Sequence, residues 1–295
     1  MRRRAWRAAP APADPPALDA DEDRSIGATP VRGSGAPLYT PPMFPIRDDN
    51  PHFLTPVATV GIIAANAAVW ALVQGLGTEP LLPRSVCELG LVPAELLGRL
   101  PPGARLPLGP DFSCIVRPGP SWFTPFTSMF LHGGWMHVIG NMWFLWIFGN
   151  NVEDSMGHLR FVVFYLLCGL AASAFQVASQ PSSGMPMVGA SGAIGGVMGA
   201  YIVLYPRVRV HMLVILGFYV TRVVVPAVFM LGYWFLLQLV GGAAALGRAG
   251  GGVAFWAHVG GFLVGSLLVI PFRNRALVAR HPYHGWARRA RSFEG

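Results

Sequence analysis

Four side chains able to move a proton or stabilise an anion stand within otherwise apolar stretches: His137, Asn141, Ser191 and His258, with His132 just ahead of the first. A serine hydroxyl becomes a nucleophile when a histidine takes its proton, and amide or imidazole N–H groups stabilise the oxyanion that its attack on a carbonyl creates. The spacing fits a shared task. His137 and Asn141 are four residues apart, so on a helix they face the same way. Ser191 lies in Gly189-Ala190-Ser191-Gly192 and heads a row of small residues, Ser191, Gly195 and Gly199, while Ala257, Gly261 and Gly265 repeat that interval beside His258. Rows of this kind let helix backbones approach closely in lipid. A contact between the two rows would bring the Ser191 hydroxyl to the His258 ring.

The elements that must hold these groups are membrane helices. The 295 residues are 53% hydrophobic and 12% charged, against about 25% charged in a soluble domain, which excludes a soluble enzyme. All the basic residues are Arg, and most charges sit at the two ends of the chain. Apolar segments fall at about 57–76, 135–149 with an amphipathic run-in from 124, 161–178, 187–205, 223–241 and 253–272, each judged against the roughly 20 residues needed to span a bilayer. The short apolar run 210–220, broken by Gly217, reads as an interfacial loop. The expected fold is therefore an all-α membrane protein, a bundle of six transmembrane helices over 56–272. Residues 1–55, with ten Pro and mixed charge, are expected to form a disordered cytoplasmic tail, and 273–295 a basic cytoplasmic one. An even span count puts both termini on one side, and the Arg-rich tails choose the cytoplasm.

The net charge of +8 is a topology signal and a contact for anionic lipid in this reading, with no role for nucleic acid. No metal-ligand spacing or cofactor motif occurs, so no metal and no cofactor is expected. Cys87 and Cys114 share the outer loop 77–120, where an oxidising exterior favours a bridge; Cys168 lies in an apolar run. With this topology His137, Asn141, Ser191 and His258 lie about 3 to 9 Å below the outer ends of their helices, at ~1.5 Å per residue. Glu153 and Asp154 fall at the opposite face.

At these residues the sequence resembles the rhomboid family of intramembrane serine proteases. Gly189-Ala190-Ser191-Gly192 is similar to the family's Gly-x-Ser-Gly motif, Ala257-His258 with Gly261 and Gly265 to its Ala-His-x-x-Gly-x-x-x-Gly segment, and His132, His137 and Asn141 to its His-x4-His-x3-Asn segment. The stretch with Glu153, Gly157 and Phe161 resembles the one that follows the family's second helix, although no Trp-Arg pair occurs in the first outer loop. The resemblance implies a six-helix bundle acting as a serine endopeptidase on transmembrane segments of membrane proteins, near the outer face. It implies Ser191 as nucleophile and His258 as base in a dyad, with His258 oriented by packing. Asn141, His137 and the Ser191 N–H would stabilise the oxyanion, and His132 would support them from the outer cavity. Substrate would reach the site between the second and fifth spans, where Trp234 and Phe235 are gate candidates. The all-Arg, Ala- and Gly-rich composition points to a GC-rich bacterial genome and a plasma-membrane location. A transporter would carry its polar groups at mid-depth and show an internal repeat. A non-catalytic relative would lack Ser or His, and a metalloprotease would need a His-Glu-x-x-His.

Overall fold

The structure is a computed structural model that describes residues 43–108, 112–116, 118–119, 121–216, 218–245 and 253–284. The chain runs through β1 (Met43–Asp48), α1 (Val57–Leu72), a 3-10 turn, α2 (Leu81–Leu89) and α3 (Pro93–Leu96). A small hairpin of β2 (Arg105–Pro107) and β3 (Ser113–Ile115) follows, then α4 (Thr124–Thr127), the 3-10 turn Ser128–Phe130, α5 (Trp135–Met156), α6 (His158–Ser179) and α7 (Ser191–Leu204). A second hairpin, β4 (Arg209–Leu216) and β5 (Tyr219–Pro226), leads into α8 (Ala227–Ala245), α9 (Phe255–Phe272) and α10 (Arg275–Val278).

Helices α6, α8 and α9 are long and apolar enough to cross a membrane, α1 and α7 are apolar but shorter, and α5 matches α6 in length with a more polar sequence. The outer helices turn large apolar side chains outward, among them Trp143 and Trp146 of α5, Leu236 and Val240 of α8, and Leu267 and Ile270 of α9. Helix α7 is enclosed by α5, α6, α8 and α9, and Gly192 to Tyr201 are buried without a break. Its glycines explain how it fits. A Cβ at Gly199 would strike the Phe262 carbonyl, one at Gly261 the Gly192 carbonyl, and one at Gly265 the Gly196 carbonyl, so α7 and α9 meet backbone to backbone. The interlocking row on α7 thus includes Gly192 and Gly196, beside the Ser191–Gly195–Gly199 row that the sequence interval suggests.

The helix starts differ from the sequence expectation in one consequential place. The fourth apolar segment is not helical from residue 187: Met187 pairs with Leu91 in an extended bridge, Gly189 has φ +131°, and the helix begins at Ser191 itself. With 14 residues, α7 is roughly 21 Å long, short of the ~30 Å hydrocarbon thickness. An extended segment descends to Ser191, and the outer loop braces it. The N–H and C=O of Leu91 bond those of Met187 at 3.0 and 2.7 Å, Ala94 N–H donates to the Ser183 carbonyl at 3.0 Å, and a Cys87–Cys114 disulfide ties α2 to β3.

The opposite end of the bundle corrects the expected extent of both tails. Residues 1–42 and 285–295 lie outside the described residues, but residues 43–55 are built into the fold. Strand β1 pairs antiparallel with β4, which pairs with β5, so the 210–220 run is one arm of a hairpin and part of its return. Trp143 Nε1 donates to the Pro45 carbonyl at 2.7 Å, and Tyr201 donates to the Asp48 carboxylate. Burial pushes the Asp48 carboxyl up to about 6, against the lowering effect of that hydroxyl. The proline content that argues for disorder is outweighed by pairing with strands far along the chain. On the C-terminal side α10 follows α9 closely, and buried His281 holds its Nε2 2.9 Å from Asp154 Oδ2.

Two adjacent carboxylates at the end of α5 organise this region. Helix α1 begins without a capping side chain of its own, leaving first-turn N–H groups that need acceptors. Glu153 is wholly buried and supplies them: it accepts from Ala58 N–H at 2.9 Å, Thr59 N–H at 2.7 Å and the Thr59 hydroxyl at 2.6 Å. Asp154 accepts from Phe53 and Leu54 N–H at 2.6 and 2.7 Å. Glu153→Ala is expected to lower the unfolding free energy by about 3 kcal/mol or more, because it strands several buried donors; the check is the thermal midpoint in detergent, which should fall well below that of the parent. Separately, the unreduced and denatured chain should present one reactive thiol, Cys168, to a thiol reagent, whereas three would exclude the bridge.

Candidate active site

Three helix beginnings and one helix middle meet around a cleft of about 790 Å³ lined by His137, Asn141, Ser191, Trp234, Gly189 and His258, among others. Ser191 is the first residue of α7, His258 lies in the first turn of α9, and His137 and Asn141 stand in the first two turns of α5. The Ser191 hydroxyl oxygen and His258 Nε2 stand in hydrogen-bond contact at 2.7 Å. That contact follows from the glycine packing below it: with α7 and α9 in backbone contact, side chains at the heads of the two rows have nowhere to go but toward each other.

The geometry of His137 fixes what it can offer. Its Nδ1 accepts from the Gly133 N–H at 3.2 Å, which leaves the proton of a neutral ring on Nε2. That nitrogen faces Gly189, where an added Cβ would come within 2.7 Å of it and within 3.5 Å of the Ser191 hydroxyl oxygen. The Asn141 amide nitrogen is buried with no protein partner among the described residues. The Ser191 N–H opens α7, so it has no carbonyl one turn earlier within the helix and lies at the positive end of the helix dipole. His137 and Asn141 thus line the same cleft as the serine. Gly189 is held in place by its own N–H, which donates to the Ser128 carbonyl at 2.9 Å.

His132 is placed otherwise than its expected position in the outer cavity. Its side chain is fully buried and its ring packs edge-on against His137, centroids 5.2 Å apart, behind the cleft rather than along it. The reason is that residues 131–134 precede α5 and are pinned: the Gln74 amide donates to the His132 carbonyl and accepts from its N–H, both at 2.8 Å. Of the two gate candidates, Trp234 lines the cleft with its ring 5.8 Å from that of His258, whereas Phe235 stacks on Phe262 at 4.6 Å. Sequence reasoning missed Gln74 and Gln238, whose Oε1 lies 2.8 Å from His258 Nδ1. Neither belongs to a motif, and the available signal was only that a lone glutamine in an apolar helix needs partners. Among the described residues no cluster of His, Cys, Asp and Glu could hold a metal ion.

A Ser–His pair in hydrogen-bond contact thus borders a cleft among apolar helices. A Rhomboid domain matches residues 119–275, just over half of the chain, and the protein belongs to the rhomboid family. It is an integral membrane protein. Similar proteins include Rhomboid protease GluP of Bacillus subtilis (31% identical over 150 residues, 51% of this chain and 27% of that protein). Rhomboid-like protein 11, chloroplastic, of Arabidopsis thaliana is 30% identical over 154 residues, covering 51% and 52% of the two chains. Rhomboid protein 1, mitochondrial, of Saccharomyces cerevisiae is 30% identical over 146 residues, covering 48% and 39%. The chain thus spans between about a quarter and half of the length of these relatives.

Gly189→Ala tests the donor arrangement. It forces a side chain into a left-handed backbone conformation at about 1–3 kcal/mol, and drives the new methyl into His137 Nε2. The expected outcome is at least a tenfold fall in the rate at which a fluorophosphonate labels Ser191, with a measurable drop in thermal midpoint.

Proposed function

We propose that this protein is an intramembrane serine endopeptidase that cleaves transmembrane segments of other membrane proteins. The observation that carries the reading is the 2.7 Å hydrogen-bond contact between the Ser191 hydroxyl and His258 Nε2, beside a cleft that His137 and Asn141 also line. Ser191 Oγ attacks the scissile carbonyl as its proton passes to His258 Nε2. The tetrahedral oxyanion is met by the His137 Nε2–H, the Asn141 amide and the Ser191 N–H, each worth about 3 to 4 kcal/mol in a poorly solvated site. Collapse of the intermediate releases the amine, which takes its proton from His258. A water then gives its proton to His258 and attacks the acyl carbonyl, and the protonated imidazole returns that proton to Ser191 as the acid leaves.

In the bilayer, α1, α5, α6, α7, α8 and α9 are the six crossing helices of a protease domain over residues 56–272, with both chain ends on the cytoplasmic face and the cleft toward the outer one. The Arg-rich ends support that orientation. The similar proteins come from a bacterium, a chloroplast and a mitochondrion, so they leave the organelle open. A recessed cleft favours a substrate helix whose backbone unwinds readily near its outer end, one with small or helix-breaking residues there. Such a segment would reach Ser191 between α5 and α8, beside Trp234.

The division of labour is tested by cleavage of a transmembrane substrate in detergent or liposomes. Ser191→Ala and His258→Ala are each expected to abolish turnover, and the double variant to lose little more than either alone, because a nucleophile and its base act as a unit. Asn141→Ala should slow cleavage by about a hundredfold or less, since two donors remain. Substantial activity in folded Ser191→Ala, or losses that simply add in the double variant, would end the assignment.

A further inference from the structure

We propose that Gln238 of α8 is a positioning residue for His258, fixing the tautomer in which the ring can act as a base; the proposal rests on the assignment of Ser191 and His258 as nucleophile and base. A neutral imidazole carries one N–H and one bare nitrogen. To take the Ser191 proton the bare nitrogen must be Nε2, so the proton must sit on Nδ1 and needs an acceptor there. Among the described residues the hydrogen-bond partners of the His258 ring are Ser191 at Nε2 and Gln238 Oε1 at Nδ1, the latter at 2.8 Å. The amide orientation is itself determined. Gln238 Nε2 donates to the Trp234 carbonyl one turn back at 3.2 Å, and turning the amide over would set two oxygens face to face there.

A second observation, independent of the hydrogen bond, explains why a residue on α8 can reach the ring. A Cβ at Gly241 would strike the Phe255 ring, and one at Gly242 would lie 3.1 Å from the Trp256 indole. Glycine therefore brings α8 against the first turn of α9, one turn beyond Gln238 on one helix and just before His258 on the other. Gln238 is itself buried.

The choice of an amide over a carboxylate has a physical reason. Beside a ring that is neutral between turnovers, a buried carboxylate would stand unpaired within an apolar helix, at a desolvation penalty of several kcal/mol. The amide oxygen accepts the Nδ1–H of the neutral ring and of the imidazolium alike. It holds the ring in place through both halves of the cycle without adding a charge.

The experiment compares Gln238→Leu, Gln238→Met and Gln238→Glu with the parent protein, in the same detergent and with thermal midpoints recorded. Gln238→Leu and Gln238→Met are expected to lower kcat by about tenfold to a hundredfold, less than the ~10²–10⁴ attached to general-base catalysis as a whole. KM should stay within twofold, and the fluorophosphonate labelling rate of Ser191 should fall in step with kcat. Gln238→Glu, whose buried carboxyl stays protonated and so keeps both an acceptor for Nδ1–H and a donor to the Trp234 carbonyl, should recover activity to within about fivefold of the parent. Nitrogen-15 spectra of histidine-labelled protein, with His258 assigned by its alanine variant, should show protonated Nδ1 in the parent and in Gln238→Glu and a shift toward protonated Nε2 in Gln238→Leu. Labelling of Gln238→Leu at the parent rate, an equal loss in Gln238→Glu, or an unchanged tautomer in Gln238→Leu would each overturn the proposal. A parent protein that resists labelling altogether would instead overturn the reading of Ser191 as nucleophile.

Discussion

Everything at the cleft depends on the backbone contact between α7 and α9. Glycine at 192, 196 and 199 of one helix and at 261 and 265 of the other leaves no side chain between them, so carbonyl oxygens of one helix lie where Cβ atoms of the other would be. In lipid, where apolar burial drives helices together only weakly, such contact supplies the dispersion attraction that holds them. It also sets the distance between residues one turn above. Ser191 and His258 stand at that level, and the 2.7 Å bond between them is a consequence of packing that involves neither side chain. A larger residue at Gly199, Gly261 or Gly265 would act on the site by separating the helices.

The polar groups fall into two sets at opposite ends of α5, and they are satisfied in opposite ways. Glu153 and Asp154 are saturated: backbone N–H groups, a threonine hydroxyl and His281 occupy their oxygens. Asn141, some 18 Å away along the helix at ~1.5 Å per residue, has no partner for its amide nitrogen among the described residues. Buried polar atoms without partners are rare in folded proteins. This one borders the cleft that Ser191 also lines. Glu153 and Asp154 hold structure through their filled oxygens.

The four cleft residues were legible because polar groups are scarce in apolar segments, and because His137 and Asn141, like the small-residue rows, keep helical spacing. What stayed hidden depends on contacts that spacing does not encode. The helix start at Ser191 requires the Leu91–Met187 bridge, between segments almost a hundred residues apart. Strand β1 lies in a stretch whose composition suggests disorder, and it is ordered by β4, more than 160 residues further on. His132 shares the His137 motif yet points elsewhere, because the motif crosses the boundary between a loop pinned by Gln74 and the first turn of α5. Gln238 carries no charge and no motif, so only the position of its oxygen distinguishes it from any glutamine that bonds its own helix.

Helix α8 occupies a particular place in this arrangement. It packs on α9 and α7 through one side while Phe229, Leu236, Leu237 and Val240 remain exposed on the other, so it is held less firmly than α7, which is enclosed on all sides. Yet the same helix carries both Trp234, which borders the cleft, and Gln238, four residues on and hydrogen-bonded to the base. A hydrogen bond weakens steeply as its length and angle depart from their optimum. Any outward displacement of α8 that widens the space beside Trp234 therefore also lengthens the Gln238–His258 hydrogen bond. The position of one helix thus bears both on the space beside Trp234 and on the hydrogen bond at His258 Nδ1, whereas the glycine seam lies between α7 and α9.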